Sequence, residues 1–471
     1  MLRKVAGGGS ALALAFIAVE LFAVARIALF AQVLAPASMG VLIILGAWLR
    51  LVEMATDVSI DRFLLREPDG VRRKVQSAAH GASLVRGVAG SAIMLASLYP
   101  LLSVYGLQAD APAFLAAALV PFVRGFLHTD YRLANRFLKL RSTVIVELGA
   151  AAAGLAVAAC GAFIAPGPEA FAASLMAQAV GAVAISHVLA SRKYALSFDR
   201  QVSRRIWQLG WPLTINAMFL YAVFQGERML VGGMLGLETL GTYAIVAQLA
   251  LLPVMIGGRL AINLAMPILA GARGGSRAAQ GASDVAAVFA SGGLIFWAAF
   301  VMLCPPFIAL LFGKAYLPQP ADLGWIAAAA AIRLQKTGPA TVLLAAGRSR
   351  EVLAGSGLRL AGFGLGTFIL WFTRDLTAFI AVTAMSELAS HAALCHLAGK
   401  EMGKGTLAVT LSPVPVFALA AAFAALQTDA HSMPVLCAAA LFAGLIPLGR
   451  VAMRHRPSRG ALGRAQLPAN G

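Results

Sequence analysis

Residues 211–249 read WPLTINAMFLYAVFQGERMLVGGMLGLETLGTYAIVAQL. Two apolar runs, 213–235 and 242–268, meet here across a turn of small residues. A helix that crosses the hydrocarbon core of a bilayer needs about 20 mostly apolar residues. Each run is therefore long enough to span. Near the end of the first run stand an acid and a base side by side, Glu227 and Arg228. That is a costly place for charge.

The same pattern repeats in both directions. Spans are expected at 10–34, 39–60, 81–104, 113–129, 142–164 and 170–190 before this pair. After it come 284–311, 323–346, 352–372, 376–397, 406–426 and 433–453, which makes fourteen in all. No connection is long enough to fold as a separate soluble domain. The first run follows Arg3 and Lys4 but exceeds a signal peptide's apolar region, so it reads as a retained helix. Over 471 residues the chain is 60% hydrophobic and 12% charged. Soluble domains run nearer half apolar and a quarter charged, which excludes a water-soluble fold.

The formal charge of +18 would suggest nucleic acid in a soluble protein. Here its placement decides the matter, because cytoplasmic loops of membrane proteins collect Lys and Arg. Alternate breaks between the spans hold 27 of the 38 cations, and the opposite breaks hold two, Lys314 and Arg374. A miscounted span would put the later loops out of phase. The expectation is an all-α polytopic membrane protein, with both termini cytoplasmic and membrane lipids rather than nucleic acid around its basic edge. The four cysteines lie inside spans without metal-ligand spacing and read as packing residues. His128, His187, His391 and His396 show no ligand constellation either. No metal or cofactor is implied.

Nine cations remain inside the spans: Arg26, Arg50, Arg86, Arg124, Arg228, Arg259, Arg333, Lys336 and Arg359. The anions there are Glu20, Glu53, Asp57, Glu147, Glu227 and Glu387. A charge at the bilayer centre costs on the order of 2.5–3.5 kcal/mol even on lenient scales, so such groups face water or a partner. Arg86, Arg359 and Glu147 lie within reach of the cytoplasmic edge and can snorkel. Arg50, Glu53 and Asp57 share one helix face and can neutralise one another. Arg26, Arg124, Arg228, Arg259, Arg333 and Lys336 lie deeper, with no evident local anion beyond Glu227. They are the candidate lining of a cationic cavity that takes an anionic cargo such as a phosphate or pyrophosphate headgroup.

An offset of 201 sets 26–40 against 227–241, matching Leu34 to Leu235, Gly40 to Gly241 and, just beyond, Ile44 to Ile245. An offset of 212 lays Arg124 on Lys336 and Arg136 on Arg348. Both agree with a period of six helices, and an even period makes the repeat parallel. The expected architecture is two six-helix lobes around a central cavity, 1–206 and 207–404. Two further helices (405–453) and a basic cytoplasmic tail (454–471) follow. Prolines 121, 212, 253, 305, 306 and 339 inside spans are possible kinks. The GxxxG pairs at Gly232/Gly236 and Gly362/Gly366 read as close helix packing.

Several segments resemble one family. They are QVLAPASMGVL (32–42), ATDVSIDRFLLRE (55–67), the opening stretch 211–249 with AMPILA (265–270), LLFGKAYLPQPADL (310–323) and LLAAGRSR (343–350). Together they are similar to the polysaccharide-transporter branch of the multidrug/oligosaccharidyl-lipid/polysaccharide exporter superfamily, which includes the O-antigen flippases. Two departures stand out. Glu227 replaces the more usual Asp, and ATDVSIDR lacks the Gly common after the Asp. The resemblance implies a flippase working by alternating access, whose cargo is an undecaprenyl-pyrophosphate-linked oligosaccharide for O-antigen, capsule or exopolysaccharide. It implies cargo contacts at Arg26, Arg124, Arg228, Arg259, Arg333 and Lys336, and ion coupling or cation pairing at Glu20, Asp57 and Glu227. It also implies partners in polysaccharide polymerase and export machinery.

Other readings stay open at this point. A multidrug antiporter or a lipid II exporter of the same superfamily shares the fold, although a cationic drug would want an anionic cavity. A polytopic polymerase or glycosyltransferase would need an external catalytic loop, and the external loops are short, with neither a DxD pair nor HExxH. GKEMGKGT from Gly399 lacks the GxxxxGK[ST] spacing of a phosphate loop and reads as a basic inner loop. The reading is a transporter, not an enzyme.

Overall fold

A computed structural model of the chain describes residues 2–425, apart from 138–139, 267–268, 270–274 and 404–405, with isolated positions between 437 and 451. It is helical throughout, with no strand among the described residues. The helices are α1 (Leu2–Ala31), α2 (Pro36–Ala55), α3 (Ile60–Arg66), α4 (Arg73–Tyr105), α5 (Ala111–Ala118), α6 (Val120–Arg124), α7 (Asp130–Leu133), α8 (Arg141–Ile164) and α9 (Pro168–Val188). They continue with α10 (Arg200–Phe224), α11 (Gly226–Leu235), α12 (Leu237–Leu260), α13 (Gly275–Leu311), α14 (Pro320–Ala345), α15 (Ser349–Thr373), α16 (Leu376–Met402), α17 (Thr406–Leu411) and α18 (Pro413–Ala425). Thirteen of the expected spans coincide with a helix or a consecutive pair. The fourteenth is described only at isolated positions, and the tail 454–471 lies outside the described residues.

Eight helical segments among the described residues are long and apolar enough to cross a membrane. Outside these eight, spans four and seven are each divided between two helices, and α14 carries Arg333, Gln335 and Lys336. The breaks were not foreseen. Span two stops at Ala55 and resumes at Ile60 through Ser59, whose φ of 53° is left-handed. Span four breaks between Ala118 and Val120, ahead of Pro121, and the Phe122 N–H donates to Ser91 Oγ at 3.0 Å. Span seven breaks at Gln225, and α12 runs into a π-turn at Ala261–Ala265. Backbone irregularity at membrane depth survives only inside protein or beside water. Pro253, Pro305, Pro306 and Pro339, by contrast, lie within continuous helices.

The chain divides into two compact units, Met1–Ile245 with Phe307–Leu317, and Val246–Pro306 with Pro318–Gly471. In the first unit, Ile60, Phe63, Leu64, Val75, Leu133 and Ile206 form a core near the cation-rich ends. Beside it Arg205 reaches Glu67 and, at 2.9 Å, Asp69. Gly40 and Gly241 carry the repeat. A Cβ on Gly40 would stand 2.2 Å from Leu237 O, and one on Gly241 would stand 2.0 Å from Pro36 O. Residues 36 and 237 are themselves 201 apart, so the α2 and α12 starts touch reciprocally, as a local two-fold crossing requires. In the GxxxG at 232 only Gly232 packs closely. Gly236 has φ 94° and nothing within 4 Å, so it serves the turn rather than packing.

In the second unit, Ala286, Leu343, Leu394, Cys395 and Met402 belong to a core of mostly small and aliphatic side chains. Helix α15 buries Gly355, Arg359, Gly362, Gly366 and Leu370, while Leu365, Phe368, Trp371 and Phe372 are exposed. Large apolar groups outward and small ones inward is the pattern of a helix in lipid.

Two consequences can be measured. A Cβ on Gly362 would stand 2.0 Å from Ser386 Cβ. Gly362→Val is expected to destabilise the protein by about 1–3 kcal/mol, read as a lower melting temperature in detergent, with part of the loss restored in Gly362→Val/Ser386→Gly. At the cation-rich end, the hydrogen bond from Arg205 holds the Asp69 carboxyl below its usual range. A depressed carboxylate stabilises the fold above its unfolded pKa and loses that contribution as pH falls through the folded value. Thermal stability should therefore drop more steeply below about pH 4 than in Asp69→Asn, and equal slopes would count against the pairing.

Candidate functional site

Charges at membrane depth gather in each unit. In the first, Arg26 on α1 donates from Nη1 to Gln178 Oε1 at 2.9 Å, with its guanidinium carbon 5.4 Å from the centre of the Phe171 ring. Arg50 and Arg124 are the cations acting on it. Arg124 ends the short helix α6 and meets Glu53 of α2, Nη1 to Oε1 at 2.6 Å. Arg26, Arg50 and Arg124 thus lie close enough to feel one another, and Glu53 meets one of the three. Desolvation strengthens an ion pair and makes an unpaired charge costly, which is why a carboxylate is found among them.

This corrects the expectation that Arg50, Glu53 and Asp57 neutralise one another along one face. Glu53 turns to Arg124, and Asp57 pairs with Arg86 at 3.1 Å. Asp57 sits in the α2–α3 break, where its Oδ1 also accepts the Ser59 N–H at 3.0 Å and its carbonyl accepts from Thr214 at 2.6 Å. Those bonds give it a structural task. Glu147 and Arg132 pair at 3.3 Å, and Arg132 also meets Asp61 at 2.5 Å.

At the start of α11, Glu227 is buried and accepts from the Tyr243 hydroxyl at 3.1 Å. Arg228 has Tyr243, Glu227 and Tyr221 as its charged or polar neighbours. Tyr221 donates to Ala47 O, and Tyr105 donates to Met229 O at 2.9 Å. Glu20 lies half-buried on α1 and forms no ion pair with another described residue.

The second unit holds the most enclosed group. Glu387 on α16 has no exposed surface. Its Oε1 accepts from Arg333 Nε at 2.7 Å and lies 2.7 Å from Arg359 Nε, while its Oε2 accepts from Lys336 Nζ at 2.5 Å. Arg333 and Lys336 come from α14 and Arg359 from α15. Lys336 also reaches Ser390 Oγ at 3.3 Å, and that hydroxyl donates to Gly355 O at 2.7 Å. Arg359 therefore does not snorkel to the edge; it is buried on a carboxylate. Arg124, Arg333 and Lys336, which have no evident local anion in the sequence, each meet one from another helix. Arg259 stands in the last turn of α12.

Sequence reading gave Glu387 no role, sent Arg359 to the membrane edge and kept Glu53 with its neighbours on one helix. A signal was present for Glu387: its span, 376–397, holds no cation, so its partner had to come from neighbouring helices. Arg333 and Lys336, three apart, share a helix face and could supply it.

The histidines serve structure. His128 Nε2 meets Arg192 O at 3.0 Å, His187 Nε2 meets Phe126 O at 2.9 Å and His391 Nε2 meets Val409 O at 2.9 Å. His80 and His128 rings stand 4.7 Å apart, but no group of described residues could hold a metal ion. The cysteines are free. Most of GKEMGKGT's start belongs to the final turn of α16, ending at Met402. That is the carbonyl end of a helix, the wrong pole for phosphate.

Comparison with known proteins bears on the family and the fold. The family model described as "Polysaccharide biosynthesis protein" matches residues 29–321, more than half of the chain. No curated protein matches at a significant level. Among solved structures, the lipid II flippase MurJ in an inward closed conformation superposes with a TM-score of 0.64 at 11% identity, over 94% of this chain and 99% of that one. An inward-facing multidrug resistance MATE family transporter of the MOP superfamily gives 0.59 at 14% identity, over 84% and 95%. A MOP superfamily transporter from Pyrococcus furiosus, described as having a binding pocket of reverse polarity, gives 0.54 at 14% identity, over 87% and 96%. At these identities the likeness establishes the fold, which is that of a multi-pass membrane transporter.

The Arg124–Glu53 pair can be tested directly. Arg124→Gln, Glu53→Gln and the double variant should give a coupling of about 1–3 kcal/mol in a double-mutant cycle on thermal stability. Additive losses would mean that the pair does not act as one.

Proposed function

The chain belongs to the polysaccharide biosynthesis protein family, and from that premise we propose that it flips a lipid-linked oligosaccharide across the bacterial inner membrane. The cargo is an undecaprenyl-pyrophosphate-linked glycan destined for O-antigen, capsule or exopolysaccharide, and the cation-rich edge faces the cytoplasm. One observation carries the reading: three cations, Arg333, Lys336 and Arg359, converge on the single carboxylate of Glu387 among membrane-spanning helices. Intramembrane charge is costly enough to demand a use, and an excess of arginine and lysine suits phosphate, which arginine grips through two parallel N–H bonds. A cationic drug would meet repulsion at the same sites. The fold shared with a lipid II flippase supports a lipid-linked cargo and a cycle of alternating access.

On this reading Arg26, Arg124, Arg228, Arg259, Arg333 and Lys336 serve the pyrophosphate and the first sugars, in concert with the carboxylates that hold several of them. Glu20 and Glu227 are the candidates for ion coupling, while Asp57 is placed for pairing with Arg86. Polymerase and export proteins would take up the flipped product.

Deleting the gene should leave lipid-linked oligosaccharide on the cytoplasmic leaflet and remove surface polymer. Complementation with Arg124→Glu or Lys336→Glu should fail to restore polymer although the variant reaches the membrane at wild-type level. Normal polymer in both variants would refute the cationic-site reading.

A further inference from the structure

A carrier that works by alternating access must return without its cargo. Three cations largely enclosed by helices would then repel one another with little water to screen them. In the second unit something already occupies that position. Glu387 contributes two oxygens to Arg333, Lys336 and Arg359, at 2.7, 2.5 and 2.7 Å. Its carboxylate offers the same planar pair of acceptor oxygens that a phosphate edge presents to guanidinium and ammonium groups.

The three cations are not held equally. Lys336 has the most exposed side chain, at 16%, against 9% for Arg333 and 10% for Arg359. It is also a flexible point charge and not a planar fork, so it can change partners with little geometric loss. Ser390 already offers its ammonium a second oxygen at 3.3 Å. The arginines both address Oε1 and the lysine Oε2. Moving Lys336 would free one carboxylate oxygen and leave the other bridging two arginines. Counting these four groups, three cations against one carboxylate leave two positive charges, which balances the two negative charges of a diphosphate esterified at both ends.

We propose, resting on the flippase reading, that Glu387 is a built-in counter-anion: it holds Arg333, Lys336 and Arg359 together when the carrier is empty and yields Lys336 to a diphosphate oxygen of the cargo. The carboxylate then competes with the cargo as well as positioning its ligands. That competition has a purpose. A transport site must bind well enough to load and weakly enough to unload, and a diphosphate resting on three uncompeted cations would unload slowly.

The test uses the full chain in phosphatidylcholine nanodiscs titrated with inorganic pyrophosphate. Lys336→Gln should weaken binding about tenfold, and Glu387→Gln should tighten it about tenfold, each step corresponding to about 1.4 kcal/mol. Unchanged or weaker binding by folded Glu387→Gln overturns the proposal, because a purely structural carboxylate would disorder the site on removal. Since Glu387→Gln leaves three cations facing one another, Lys336→Gln/Glu387→Gln is measured beside it; this variant keeps the net charge of two. Tighter binding than Lys336→Gln alone upholds the competition, and equal or weaker binding refutes it. Repeating the titration with phosphatidylglycerol in the disc separates the sources of phosphate. Retained pyrophosphate binding assigns the site to a diphosphate, and its loss to the lipid headgroup overturns that assignment. The flippase reading fails separately: it falls if the deletion strain keeps its surface polymer, whatever pyrophosphate does in the nanodisc.

Discussion

Hydrocarbon cannot solvate a charge, and the placement of ionised groups in this protein follows from that constraint. Glu387 is wholly enclosed, and three cations from two other helices converge on it. Such a group would be among the most destabilising in the chain if any two of those cations were absent, because a buried ion left alone costs several kcal/mol. The helices α14, α15 and α16 are therefore tied together by a single carboxylate as well as by packing. The packing itself is tight enough to be specific: Gly362 lets α15 approach Ser386 of α16, which brings Arg359 within reach of Glu387.

The first unit meets the same constraint with different parts. The repeat offset of 212 lays Arg124 on Lys336, and both end in an ion pair, Arg124 with Glu53 and Lys336 with Glu387. Yet Glu53 comes from span two and Glu387 from span twelve, which are not equivalent positions in a period of six. The cation is kept in register while its anion comes from wherever a neighbouring helix can deliver it. Charge balance, more than residue position, is what the two units have in common. Irregular backbone accompanies these charges: Asp57 lies in a break, Arg124 ends α6, Glu227 begins α11 after Gln225, and Arg259 precedes the π-turn. Free backbone N–H and C=O groups need polar company for the same reason that ions do.

Much of this was legible in the sequence, and the boundary is physical. Span positions follow from run length against bilayer thickness, which is why thirteen of them fall on helices. The offset of 201 was legible because Gly40 and Gly241 each face a backbone carbonyl, at Leu237 and Pro36, where no side chain fits. Pairings between helices were not legible. A one-dimensional reading ranks a charge by its distance from the membrane edge, so it released Arg359 to the surface and sent Arg333 and Lys336 to an open cavity. The lone carboxylate at 387 was the clue it lacked the geometry to use. Gly236 shows the same limit on a smaller scale: its spacing from Gly232 suggests packing, while its φ of 94° shows a turn.

The enclosure of Glu387 also bears on which ions could drive the cycle. A carboxylate that couples transport to a cation must exchange that cation with water at some stage. Glu387 already has its two oxygens occupied by resident cations and has no exposed surface, so an external cation would have to displace three covalently tethered ones to reach it. An anion meets no such obstacle, because it approaches the cations instead, and Lys336 is the one most open to it. Charge selectivity at this site is thereby set by which partner is tethered and which is mobile. A site in which three tethered cations share one carboxylate repels an entering cation and sets an entering anion in competition with that carboxylate.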